Sequence, residues 1–227
     1  MITAVAVVVP ARDEAALVAG CLRAVHRSLL GLPVPIARTV VLVADRCTDE
    51  TAELASAGGA VVVVSEEDRT IGEIRDLGCR RALALLPGHR PDRLLLLNTD
   101  ADTEVTPGWA GHHLARAHRG WHATTGPAHL SGAFPGSPDA ALRYRELVDT
   151  AERTTGNVYG ANLAVRADAH TAVGGFGPTA TGEDHSLWRR LAAAGYRLAT
   201  EPRAVVHTSP RLDGRAPGGL ASLLRQL

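Results

Sequence analysis

Lysine is missing from this chain: all 24 basic side chains among its 227 residues are arginine. That absence excludes a Schiff-base lysine, a lysine-bearing phosphate loop and a lysine general base. Any bound phosphate must then be met by arginine, backbone N–H groups, helix ends or a metal ion. Cysteine is scarce, and Cys21, Cys47 and Cys79 lack CxxC spacing, which reads as reduced thiols rather than a zinc cage. No apolar run approaches the ~20 residues that cross a bilayer. The amino terminus enters a strand without the basic-then-apolar layout of a signal peptide. Net charge is absent too, since 24 acidic residues balance the 24 arginines, so no overall field favours nucleic acid or an anionic membrane. The expectation is a cytoplasmic protein with no nucleic-acid partner and no membrane span.

What is present is alternation. Val5 to Val9 is a β-branched run ended by Pro10, and Ala15 to Leu30 carries Leu17, Cys21, Leu22 and Val25 on one helical face. Strands are predicted at Thr39–Val43, Val61–Val64 and Leu94–Leu97, and helices at about Thr48–Ala57 and Ile71–Leu86. Such alternation predicts a mostly parallel sheet with helices on both faces. The second half is less regular. Helices are expected over Trp109–His118, Pro138–Arg153 and Thr181–Ala194, a strand over Trp121–Gly126, one or two short strands within Arg197–His207, and a mobile loop before a last helical turn. There is no internal repeat and no linker, which implies one domain: a nucleotide-binding half (1–102), a smaller mixed acceptor half (103–207) and a carboxyl-terminal tail (208–227).

Ligands of such sheets bind outside the carboxyl ends of the strands. Arg12-Asp13-Glu14, Asp45, and Asp100 with Asp102 all fall there. The acidic pair follows the leucine run in Leu94-Leu95-Leu96-Leu97-Asn98-Thr99-Asp100-Ala101-Asp102. Side chains two apart in an extended chain point the same way, so these two carboxylates converge if the strand geometry persists. Converging carboxylates repel unless a cation lies between them. Read alone, the pair also fits a polar turn after a buried strand, the lesser of the two readings.

Taken together, Val9-Pro10-Ala11-Arg12-Asp13-Glu14, Val43-Ala44-Asp45-Arg46-Cys47-Thr48-Asp49-Glu50-Thr51, Asn98-Thr99-Asp100-Ala101-Asp102, Gly160-Ala161-Asn162, Gly174-Gly175-Phe176 and Gly182-Glu183-Asp184 resemble, in order, the signatures of family 2 glycosyltransferases, over roughly Val5 to Arg211. The resemblance implies a GT-A, Rossmann-like α/β fold and a nucleotide diphosphate sugar donor, a UDP- or GDP-hexose, with Mn2+ or Mg2+ held against the diphosphate. It implies Asp102 as a metal ligand, with His207 completing the shell, and Asp100 contacting the ribose or a metal-bound water. Asp45 would accept a hydrogen bond from the base, although Ala44 stands where the family more often has a second carboxylate. Pro10, Arg12, Glu14 and Gly160 would lie along the donor, Arg75 would contact phosphate or uridine, and Arg211 with Arg215 would clamp the diphosphate. Asp184 would be the general base toward an acceptor hydroxyl whose identity has no transferable signature.

Structural alternatives stand beside several of these roles. Asp13 and Glu14 suit the first turn of a helix, and Thr181-x-x-Asp184 is close to a capping box. Gly174-Gly175 suits a turn after a helix end. Trp188 suits a core, and His112 and His113 suit a helix surface. Apolar helix faces leave room for a homodimer. A retaining enzyme of the glucosyl-phosphoglycerate synthase type and a non-catalytic sugar-nucleotide sensor share the fold and donor. A nucleotidylyltransferase is disfavoured by the missing lysine, and a nicotinamide dehydrogenase by the missing Gly-x-Gly-x-x-Gly.

Overall fold

The computed structural model describes residues 1–154, 156–214 and 219–227. The amino-terminal half runs β1 (Ala4–Ala11), α1 (Val18–Leu30), β2 (Ala37–Asp45), α2 (Thr51–Ala57), β3 (Val61–Ser65), α3 (Ile71–Leu85) and β4 (Leu94–Asn98). The second half adds β5 (Thr103–Val105), α4 (Trp109–His118), β6 (Ala123–Thr125), β7 (Ala128–Leu130), α5 (Pro138–Thr154), β8 (Leu163–Arg166), α6 (Ala167–Ala172), α7 (Glu183–Ala193), β9 (Leu198–Thr200), β10 (Val206–Thr208) and α8 (Leu220–Gln226).

Seven strands form one sheet in the order β3-β2-β1-β4-β8-β6-β9. Only β8 opposes the rest, antiparallel to both β4 and β6. The two halves of the chain therefore share a single sheet. Strands β5, β10 and β7 form a second, three-stranded sheet, with β10 in the middle. The alternation gave the mostly parallel character correctly. It did not foresee β5, β7, β8 or α6, which are too short to show a period.

Strand alternation explains the layering. Val5, Val7 and Val9 of β1 with Leu95 and Leu97 of β4 face α1, α2 and α4. Ala4, Ala6, Val8, Leu94 and Leu96 face α3, α6 and α7. A strand buried on both faces reads as an unbroken apolar run, and each such leucine contributes roughly 1.5–3 kcal/mol on burial. Pro10 does not end β1 but lies within it, opposite Val43 of β2. Val8 O accepts the Thr99 N–H, so Val8 turns its polar groups to β4, and so would Pro10, two residues on. The β1–β4 ladder has already stopped at Val8–Asn98, so the missing proline N–H costs no ladder bond.

α3 opens with a capping box between Thr70 and Glu73, which satisfies its first N–H groups. It lies close on the sheet because Gly78 has no side chain: a Cβ there would overlap Val8 Cγ1 and come within 3.0 Å of Val43 Cγ2. Gly78→Ala should therefore cost about 1–3 kcal/mol through overpacking, despite alanine's better helix propensity. Urea denaturation checks the sign; a stabilised variant would contradict the packing argument.

Candidate functional site

The loops after β1 and β2 are stitched together at the carboxyl edge of the sheet. Asp13 Oδ1 accepts the Thr48 N–H at 2.7 Å, Asp49 Oδ2 accepts the Ala15 N–H at 3.0 Å, and the Thr51 hydroxyl accepts the Glu14 N–H at 2.7 Å. The helix-capping alternative for Asp13 and Glu14 is not realised, since α1 begins at Val18, four residues after Glu14, and its cap residue is Leu17, without a side-chain cap. Among the described residues, the ligand atoms of Asp13, Cys47 and Asp49 lie within 4.8 Å of one another. Both carboxylates are already engaged in the stitching. Asp45 ends β2 in a buried position, with Arg46 Nε on one oxygen at 3.0 Å and Arg12 Nη1 4.0 Å from the other. All three cysteines are free.

The acidic pair after β4 is not arranged as strand alternation suggests. The strand stops at Asn98 and the chain turns, with Thr103 N–H donating to Asp100 O. Asp100 and Asp102 consequently meet different arginines. Asp100 Oδ1 accepts from Arg75 Nη2 at 2.6 Å, and Asp102 Oδ2 lies 2.9 Å from Arg211 Nη2. The same Arg211 guanidinium straddles Glu14, donating Nη1 to Oε2 at 2.6 Å and Nη2 to Oε1. Burial and the charge of Asp100 push the Asp102 carboxyl up to about 6, while Arg211 opposes the rise. A carboxylate so placed favours a neighbouring cation.

Asp102 and His207 line one cavity of about 220 Å³, together with Thr103, Glu104, Ser131 and Ser209. β10 sets this up, since its Thr208 is paired to Thr103 and its His207 to Glu104. Carboxylate and hydroxyl oxygens mixed with one imidazole are donors that Mn2+ accepts readily. Asp102 and His207 thus offer donor types that suit a divalent cation.

Arg75 departs from expectation. It is only 3 % exposed, with Nε on Glu183 Oε1 at 2.9 Å as well as Nη2 on Asp100. Its guanidinium is directed at two carboxylates rather than at the open cleft. The peptide of Gly160 crosses above it: a Cβ there would come within 2.5 Å of Arg75 Nη2. Burial pushes the Glu183 carboxyl up, and the Arg75 charge pulls it back. Glu183 carried only a helix-start reading in the sequence; its position beside Asp184 was the one signal available.

Asp184 is partly buried at the start of α7. The cap residue is Gly182, at φ 71°, and no side chain caps the helix. The capping-box alternative therefore fails, and Asp184 Oδ2 instead accepts the Gly160 N–H at 2.7 Å. Gly160 owes its place to Asn162, which is fully buried. Its Oδ1 accepts from Trp109 Nε1 at 2.8 Å and bonds His113 Nε2 at 3.0 Å, while Nδ2 donates to Pro127 O and Ala204 O. His113 is thus not a surface residue: it is buried between Asn162 and Thr124, and burial lowers its pKa to about 4. Gly174 and Gly175, at φ 81° and 67°, turn the chain after α6, so the helix-end reading holds for them. Trp188 packs against the second core cluster. Arg215 lies outside the described residues.

The family described as "Glycosyltransferase like family 2" matches residues 3–226. No curated protein matches in sequence. Among solved structures, a mannosyltransferase from Pyrobaculum calidifontis, in complex with GDP-Man and Mn2+, superposes with a TM-score of 0.65 at 20% identity, covering 97% of this chain and 68% of that one. Glucosyl-3-phosphoglycerate synthase from Mycobacterium tuberculosis, with Mn2+, UDP and phosphoglyceric acid, gives 0.60 at 18% identity, over 98% of this chain and 75% of that one. S. aureus TarS with UDP-GlcNAc gives 0.66 at 15% identity, over 95% and 60%. At these identities the likeness is one of fold.

Asn162→Ala should destabilise the protein by about 3–5 kcal/mol, because it strands buried donors and acceptors on several elements at once. Denaturant titration reads this directly, and a loss below about 1 kcal/mol would show that the buried bonds are replaceable.

Proposed function

The chain belongs to glycosyltransferase-like family 2, and from that membership we propose that it moves a hexose from a UDP- or GDP-sugar to an acceptor hydroxyl, using Mn2+ or Mg2+ and inverting the anomeric centre. The observation that carries this reading is the gathering of Glu14, Asp45, Asp100 and Asp102 at the carboxyl ends of β1, β2 and β4, with Arg75 linking Asp100 to the start of α7.

In this reading the donor lies along the carboxyl edge of the sheet. Asp45 accepts from the base, with Arg12 beside it. Pro10 and Glu14 border the ribose and Asp100 approaches it. Asp102 and His207 hold the cation, which when bound offsets the negative charge growing on the departing nucleoside diphosphate. Arg211 exchanges its carboxylate partners for phosphate oxygens and closes over the diphosphate. Lysine is absent, so among charged side chains an arginine suits that task.

Asp184 is the general base. Its carboxylate is oriented by the Gly160 N–H, which leaves lone pairs for an acceptor hydroxyl. The hydroxyl acidifies as it bonds to the anomeric carbon, so even a weakly basic carboxylate takes the proton late in the step. Single displacement from the face opposite the leaving group inverts the centre. No helix among the described residues is long and apolar enough to cross a membrane.

Thermal shifts with UDP- and GDP-sugars, each with and without Mn2+, test the donor and the metal together. Asp102→Ala should abolish the Mn2+-dependent part of the shift. Asp184→Asn should keep nucleotide affinity while cutting turnover at least ~10²-fold; retained turnover would remove Asp184 as the base. The anomeric configuration of the product, read by NMR, tests inversion, and retention would overturn the single-displacement course.

A further inference from the structure

We propose that Arg75 is a positioning residue: a buried ionic brace that fixes the angle between donor-side Asp100 and the base-bearing start of α7, so that donor binding orders the acceptor side. The inference rests on the donor and base assignments proposed above.

The brace is built from segments distant in sequence. Arg75 sits on α3, Asp100 follows β4 and Glu183 opens α7, 108 residues away from Arg75. Nε and Nη2 lie on one edge of a rigid, planar guanidinium. Each takes a different carboxylate, at 2.9 and 2.6 Å, so the plane sets the relation of one carboxylate to the other. The peptide of Gly160 lies between this group and Asp184: Arg75 lies beneath it, and its N–H donates to Asp184 Oδ2 at 2.7 Å. One turn earlier on α3, Gly72 admits the chain before α7. A Cβ there would overlap Gly177 O and come within 3.2 Å of Glu183 Cβ. Donor loop, Gly160 turn and α7 start thus meet on one side chain.

Stability alone does not account for this choice. Two carboxylates around one guanidinium leave an excess negative charge on a brace whose arginine is 3 % exposed, and apolar packing often matches or exceeds such clusters in stability. A direct phosphate contact does not account for it either. Nε and Nη2 are committed to carboxylates, which leaves only Nη1, buried and without a hydrogen-bond partner, so the two-pronged edge that grips phosphate is already taken. What the arrangement does supply is a link: a ligand that draws Asp100 toward itself moves or stiffens Glu183 and, next to it, Asp184.

Amide hydrogen exchange tests the link with UDP plus Mn2+ and GDP plus Mn2+ as probes. In the wild-type protein, the probe that binds should slow exchange ~5-fold or more both in the donor loop after β4 and in the first two turns of α7. Arg75→Met paired with Glu183→Gln removes charge without stranding a carboxylate on α7. This variant should bind the same probe within ~3-fold of wild type, and keep donor-loop protection while losing it on α7. Arg75→Lys, which retains the charge but not the fork, should also lose the α7 response. Wild-type protection confined to the donor loop, or α7 protection surviving in either variant, would overturn the brace. If neither probe protects any segment of the wild type, the donor reading itself fails and the brace goes with it. A fall in probe affinity of ~30-fold or more in the folded variants would return Arg75 to direct donor contact.

Discussion

Carboxylates crowded at the carboxyl ends of β1, β2 and β4 require positive charge, and in this chain arginine alone supplies it. Glu14, Asp45, Asp100 and Asp102 accordingly each have a guanidinium, as does Glu183 at the start of α7. Arg211 serves Glu14 and Asp102, Arg75 serves Asp100 and Glu183, and Arg46 with Arg12 serves Asp45. The two main braces differ in burial. Arg75 is enclosed, whereas the Arg211 side chain keeps a quarter of its exposure, and the energetic cost of freeing a charge is smaller where water can replace its partner. In the proposed reading, a cation and a diphosphate entering together would displace Arg211 from its acids, whereas Arg75 would stay in place. One arginine is suited to exchange partners and the other to hold them.

The second half of the chain is mounted on the first by polar groups as much as by apolar ones. Asn162 reaches α4, the connection between β6 and β7, and the approach to β10 through its side chain alone. His113 belongs to the same knot and stays neutral because burial disfavours its charged form. A fully satisfied buried network specifies one arrangement of the segments around it. That is the condition for holding the Gly160 turn, and with it Asp184, in constant relation to the strand ends.

Much of the amino-terminal fold was legible because its strands are long apolar runs separated by turn residues. Val5–Val9 and Leu94–Leu97 stand out by composition, and Trp109–His118 matches α4 end to end. The second half resisted for a physical reason: its strands span three or four residues, too few to establish alternation, and they are stabilised by neighbours from elsewhere in the chain. His113 was misjudged as a surface residue because a polar side chain on a helix is ordinarily solvated. Only partners from β6 and the Gly160–Asn162 turn make its burial tolerable.

The sequence by itself determined the parallel strands, the acids at their ends, the arginine-only chemistry and the likeness to family 2 glycosyltransferases. All of these follow from composition and local order, which need no knowledge of what lies opposite. Only the tertiary structure decided which arginine meets which acid, that the chain turns after Asn98 and sends Asp100 and Asp102 to different partners, and that Asp184 orients on Gly160 instead of capping its own helix. Those outcomes depend on pairings across as many as 197 residues, and a carboxylate's partner is set by which chain segment packs beside it rather than by its neighbours in sequence.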